Sequence, residues 1–259
     1  MDEERLEEMA RDPRFIKGVY NYCDRWCERC GFTGRCLNYA LCGEEFAEKD
    51  EQEQWQVLGR LMRQTASMVQ RDAKEHGIDL EALDAADETD DLPEGDASEQ
   101  PCCSQAKRYM EAASAWFDAA DELFKGQQDA LYEAVRLELP ETTPEQTAQA
   151  VNAAVETIRW YQHQIYIKLM RAHRKTTPPA DPADEMLDDA NGSAKVALIG
   201  MDRSIHAWDM LYRILAEEQD SILDILVQLG RLRRSVEAVF PAARAFIRPG
   251  LDELPSDEA

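Results

Sequence analysis

Thr143-Pro144-Glu145-Gln146-Thr147-Ala148-Gln149-Ala150-Val151 opens the stretch that decides the fold. Thr143 carries the hydroxyl that an N-cap needs. Pro144 suits the first helical position, where a missing N–H costs nothing, and Gln146 completes a capping box. Beyond it, Val151, Val155, Ile158, Gln162, Ile165, Leu169 and Ala172 recur in steps of four and three. Residues so spaced share one face of a helix and make the seam of a helical bundle.

Similar patterns flank this helix. Upstream, a helix over 104–137 carries a wide apolar stripe: Tyr109, Met110, Ala113, Trp116, Phe117, Ala120, Leu123, Phe124, Leu131 and Ala134. Downstream, 176–192 is a Pro- and Asp-rich connection, long for a bundle loop. Ser193 or Ala194 opens another helix, with Val196, Gly200, Arg203, Ala207, Met210 and Ile214 on one face. A last helix over 221–240 uses Ile222, Leu226, Leu229, Leu232 and Val236, and a Pro249-Gly250 turn and an acidic tail follow. Nearer the start, 44–75 reads as helical through Phe46, Trp55, Leu58, Leu61, Met62, Ala66 and Val69, with Gly77 as its stop. No stretch reads as a strand and nothing repeats. The expected fold is all-α: an up-down helical bundle over 102–259 and an N-terminal cysteine-rich helical subdomain over 1–77. Between them, 79–99 holds ten Asp or Glu and no Lys or Arg. The expectation for 78–101 is an acidic linker that cannot bury enough apolar surface to order itself.

The 259 residues are ample for a hydrophobic core, and the net charge is −23. Such a charge opposes general binding to a phosphate backbone. No run of about 18 apolar residues exists, so no membrane span is expected. The acidic start lacks a signal-peptide core. Seven cysteines without an export signal point to a reducing, cytoplasmic setting, where close spacing means metal more often than disulfide.

Five of the seven fall in Cys23-x3-Cys27-x2-Cys30-x5-Cys36-x5-Cys42. Four convergent thiolates suit tetrahedral zinc or a [4Fe–4S] cubane. On one continuous helix Cys23, Cys27 and Cys30 would share a face but span about 10.5 Å along the axis, too far for one ion. The helix must therefore unwind, and Gly31 and Gly34 are the expected places. Three readings compete: a [4Fe–4S] cluster on Cys23, Cys27, Cys30 and Cys36, a structural zinc on the same residues, and unligated thiols. Two features favour the cluster. Arg25, Arg29 and Arg35 offset the negative charge of a thiolate-ligated cubane, and Trp26, Phe32 and Tyr39 offer apolar shielding. Cys42 is a spare or alternative ligand. Cys102-Cys103 reads as two thiols at the start of a helix.

The last three cysteines, with Gly31-Phe32-Thr33-Gly34-Arg35 between the final two and Tyr39 after them, resemble the iron–sulfur loop of helix–hairpin–helix DNA glycosylases. The likeness covers about 14 residues, and its first gap is shorter than in that family. It implies ligand roles for Cys23, Cys27, Cys30 and Cys36. Nothing resembles that family's hairpin or catalytic residues. The Cys-x3-Cys-x2-Cys portion is similar in spacing to radical-SAM enzymes, but the alternating strands and helices of their barrel are absent.

In the bundle, Glu156 and His163 share a helix face, as do Asp202, His206 and Asp209. Facing acids and imidazoles can hold a pair of metals, but the Glu-x-x-His spacing of such sites is missing. Arg203 interrupts an apolar stripe, and a bundle acid such as Glu156 is its expected partner. No phosphate-binding glycine loop or nucleophile elbow occurs. The leading reading is a helical metalloprotein with a redox, sensing or structural centre and a docked protein partner. A zinc-stapled interaction module is the first alternative. A metal enzyme using Glu156, His163, Asp202 and His206 is the second. The balance leans against an enzyme.

Overall fold

The computed structural model describes residues 8–46, scattered positions between 53 and 77, and 97–136, 144–173 and 185–252. Within these, the side chains of 42–46, 99, 121–136, 144–145 and 185–188 are not described. Several expectations fall outside the described residues: the linker over 78–96, the Thr143 cap, the loop over 176–184, and the apolar positions Trp55, Leu58, Leu61, Met62 and Val69. The side chains of Phe46, Leu123, Phe124, Leu131 and Ala134 fall outside as well.

The described chain is helical, with no strand among the described residues. Its long elements are α1 (Leu37–Phe46), α2 (Pro101–Arg136), α3 (Pro144–Ala172), α4 (Glu185–Ile214) and α5 (Gln219–Val239). Two compact units result. One is Met1–Gly95 with Pro249–Ala259, and the other is Asp96–Arg248.

The second unit is the bundle. Each of α2 to α5 packs on its neighbours in sequence, and α2 closes the ring against α5. Neighbours run antiparallel. Gly200 sits against Tyr161 while, further back on α4, Asp189 meets Arg171 further along α3 at 2.6 Å. Likewise Trp116 Nε1 donates to Ser221 at 3.1 Å, and the earlier Cys102 meets the later Ser235 at 3.4 Å. The up-down bundle expected from periodicity is the fold observed.

On α3 the expected seam is the buried face: Ile158, Gln162, Ile165, Leu169 and Ala172 are all buried. On α4 the expected Val196, Gly200 and Ala207 are buried, but Ala194, Ala197, Leu198, Met201, Trp208 and Leu211 are buried as well. Met210 and Ile214 are half-buried and Arg203 is exposed, so the buried face is wider than expected. Trp208 centres the core, edge-on to Trp116 at 5.0 Å and 5.8 Å from Phe117. Its indole N–H donates to the Tyr109 hydroxyl at 3.3 Å, and burial pushes that phenol up to about 12. Edge-to-face pairs add roughly 0.5–1.5 kcal/mol each beyond their buried area.

Both ends of the connections differ from expectation. α4 begins at Glu185, about two turns before Ser193, and carries Gly192 inside it. Gly192, Ser193 and Ala194 are buried there, so close packing outweighs the roughly 1 kcal/mol helix penalty of glycine. α2 begins at Pro101, a favoured first residue, rather than at Ser104. The turn Ala97–Glu99 packs on α2, and Ser104 Oγ donates to the Ser98 carbonyl at 3.1 Å. The last residues expected in the linker thus belong to the bundle.

In the first unit, the described positions from 53 to 74 are helical. Gly77 takes the left-handed φ of +68° and its N–H reaches the Lys74 carbonyl at 3.3 Å, the expected stop. Ala73 is buried but Ala66 is exposed, so the expected stripe does not hold at Ala66.

Two predictions follow from the bundle. A Cβ on Gly200 would lie 2.9 Å from Tyr161 Cδ1 and 3.2 Å from Ile165 Cγ1. Gly200→Val should therefore cost about 1–3 kcal/mol of overpacking in urea unfolding. His173, edge-on to Phe240 at 4.9 Å, has Nε2 buried without a hydrogen-bond partner, and burial holds its pKa below 6.5. The unfolded chain then binds that proton more readily, so this contribution is intact above about pH 6.5 and is lost as pH falls below it. Urea midpoints measured at about pH 7.5 and about pH 5.5 should differ less for His173→Phe than for the natural protein.

Candidate metal centre

The cysteines sit on turns, not on a helix. Asp24 Oδ1 accepts the Trp26 N–H at 3.2 Å across Arg25, whose φ is +57°. Trp26, at φ −84° and ψ 73°, forms an inverse γ-turn in which the Arg25 carbonyl accepts the Cys27 N–H at 3.0 Å. Single 3₁₀ turns follow at Cys27–Arg29 and Thr33–Arg35, with Cys30 and Cys36 extended at their ends. The Ile16 N–H reaches the Arg35 carbonyl at 3.0 Å and ties the start of the segment to its end.

The unwinding that the cysteine spacing demands is present on the expected C-terminal side. The chain is extended at Cys30, turns through Gly31 and Phe32, and is extended again at Cys36, although neither Gly31 nor Gly34 takes a positive φ. A second, unexpected break lies before Cys27, where the Asp24 turn accompanies a left-handed Arg25.

Cys23, Cys27, Cys30 and Cys36 line one cavity of ≈ 30 Å³ with Val19, Trp26, Phe32, Tyr39 and Leu251 among its walls. All four are half-buried and none is in a disulfide. The Phe32 N–H donates to Cys30 Sγ at 3.4 Å, and Cys23 Sγ to the Tyr20 carbonyl at 3.5 Å. Burial pushes the Cys27 thiol up, and the charges of Cys23, Cys30, Cys36 and Glu28 push it further in the same direction. A bound cation would reverse that repulsion. Among the described residues, no three His, Cys, Asp or Glu are arranged to hold one metal ion. A single zinc would draw its four sulfurs to about 3.8 Å from one another, given bonds of about 2.3 Å in a tetrahedron. Here the four thiols line a common space without converging on one point.

Very little else holds this segment. Among the described side chains of 8–41, Val19 alone is buried. Trp26, Phe32 and Tyr39 line the cavity as expected, though Tyr39 stays 43% exposed. Arg25, Arg29 and Arg35 are exposed, and the Arg29 guanidinium lies 4.0 Å from the Trp26 ring centre. Sequence reasoning missed Leu251. The signal was an apolar residue just after Pro249-Gly250 in an acidic tail. Gly250 is left-handed at φ +67°, and a Cβ there would lie 2.5 Å from Ile16 Cγ2.

The remaining candidates do not join this site. Cys102 and Cys103 are buried in the first turn of α2, in no disulfide, and the side chain of Cys42 is outside the described residues. Asp202 is bound by Arg244 at 2.5 Å and Arg233 at 3.3 Å, and Asp209 by Arg213 at 2.7 Å. Glu156, His163 and His206 are exposed. Arg203 donates to the Tyr161 hydroxyl, with its guanidinium 5.6 Å from that ring's centre.

Comparison with protein-family models, with curated proteins and with solved structures gave no match.

Gly250→Val should push 249–252 off Ile16. Alkylation of Cys23, Cys27, Cys30 and Cys36 in metal-free protein should then speed up, while Cys102 and Cys103 stay protected. Peptide mass mapping after timed labelling reads both.

Proposed function

We propose that Cys23, Cys27, Cys30 and Cys36 bind a [4Fe–4S] cluster that completes the N-terminal unit and presents a redox, sensing or structural centre to a protein partner. The observation that carries this is the pairing of four thiols around one cavity with a segment, 8–41, whose described side chains include a single buried one. So small a hydrophobic core does not hold a chain of turns, and small units of this kind rely on metal or disulfide. With no disulfide here, ligation supplies the missing folding energy. The apolar walls and the N–H donated to Cys30 Sγ suit a thiolate centre, since both tune its charge and potential. The cations Arg25, Arg29 and Arg35 near the cysteines support an anionic thiolate-ligated cluster over one ion.

Zinc on the same four residues is the second reading. Cys27-Glu28-Arg29-Cys30-Gly31 has the turn of a zinc knuckle, with the Phe32 N–H on Cys30 Sγ at 3.4 Å. No redox chemistry would then follow. The absence of any long apolar helix among the described residues agrees with a partner other than a membrane interior.

Cys27→Ser and Cys30→Ser should each lose the metal and unfold the N-terminal unit, with chymotrypsin cutting after Tyr20 to Trp26. Cys102→Ala should keep the metal. Unchanged metal content in both serine variants contradicts the ligand assignment.

A further inference from the structure

Residues 11–35 hold six Lys or Arg against three Asp or Glu, a net of +3 in a chain of −23. All six cations, Arg11, Arg14, Lys17, Arg25, Arg29 and Arg35, are exposed. Arg14 is held by Asp12 at 2.7 Å. Arg25 is itself part of the cavity wall, and Arg29 is steadied over the ring of Trp26, another wall residue. Arg25 and Arg29 therefore stand at the rim of the cysteine cavity, and Arg35 directly precedes the wall residue Cys36 in the chain.

Arg25 adds a second, independent observation. It is the one non-glycine among the described residues with positive φ. A bulky side chain is uncommon there, and glycine or asparagine would sit without strain. Backbone strain of this kind collects where a side chain is kept for function. What Arg25 has that glycine lacks is a guanidinium at the rim of the site.

We propose that the Arg25, Arg29 and Arg35 face is a docking surface for an acidic protein, which it brings up against the cysteine centre. The inference rests on the metal-centre reading for why a partner approaches this face. At physiological salt the Debye length is about 8 Å, so a local positive face can pair with carboxylates although the whole chain is negative. Electrostatic complementarity of this kind sets encounter rate and orientation more than final affinity. Carboxylates are favoured over a nucleic-acid backbone. A duplex carries a dense line of charge well beyond the patch, and the other acidic residues of the chain would repel it.

The test uses the full chain, labelled poly-L-glutamate, and a DNA duplex of equal total charge, at about 0.15 M salt. Poly-glutamate should bind the natural protein, and binding should weaken with added salt. Arg25→Gly should weaken it several-fold while leaving the thermal midpoint equal or higher, and Arg25→Lys should restore it. Arg29→Ala combined with Arg35→Ala should weaken it at least tenfold, which keeps the test open if Arg25→Gly misfolds. No binding to poly-glutamate, binding unchanged in these variants, or tighter binding of the DNA would each overturn the proposal. Metal content is measured on every sample. Arginine-dependent binding by protein that takes up no metal would sink the metal-centre reading and leave the docking surface standing.

Discussion

Four half-buried thiols line one cavity in the segment 8–41, where the described side chains offer almost no hydrophobic core. Turns leave most of their backbone groups to be satisfied locally, and each ordered residue costs about 1–2 kcal/mol of backbone entropy. Val19 alone is buried among the described side chains of 8–41, and one valine offsets only a small part of that cost. The short links that are present, from Ile16 to Arg35 and from Asp24 to Trp26, set the path of the chain rather than its stability. On the proposed reading the bond between sulfur and metal is the core of this segment. Trp26, Phe32, Tyr39 and Leu251 are its casing.

The bundle has no such dependence. Tyr109, Trp116, Phe117 and Trp208 interlock at its centre, and the polar atoms of the aromatic residues find partners: Trp208 on Tyr109, Trp116 on Glu218 and Ser221. Asp202, the acid best placed for a bundle site, is absorbed by Arg233 and Arg244. Those contacts fasten the segment after α5 onto α4 and leave the acid poorly disposed to ligate a metal beside His206.

Periodicity made the bundle legible. The α3 seam is read correctly from Ile158 to Ala172 because steps of four and three have one meaning over about four turns. On α4 it finds the buried Val196, Gly200 and Ala207 but wrongly adds the exposed Arg203 and misses Trp208, because further small and apolar residues make the buried face too wide for one stripe to mark its centre. The α4 start was illegible because Gly192 signals a break locally, whereas its burial against neighbouring helices carries the helix through. At the cysteines, spacing alone showed that a helix must unwind. It could not show the further break at Arg25, since arginine carries no left-handed signal and the Asp24 turn beside it is a side-chain effect. Leu251 stands out as an apolar residue in an acidic tail, but where it packs depends on residues more than two hundred positions away in sequence.

The central claim is that the four thiols hold an iron–sulfur cluster. Iron, zinc and acid-labile sulfide measured together on protein purified without oxygen test it most directly. The account predicts about four irons and about four sulfides per chain, with negligible zinc, in a brown protein. One zinc per chain without sulfide, or neither metal in a protein whose N-terminal unit is nonetheless folded, would contradict it.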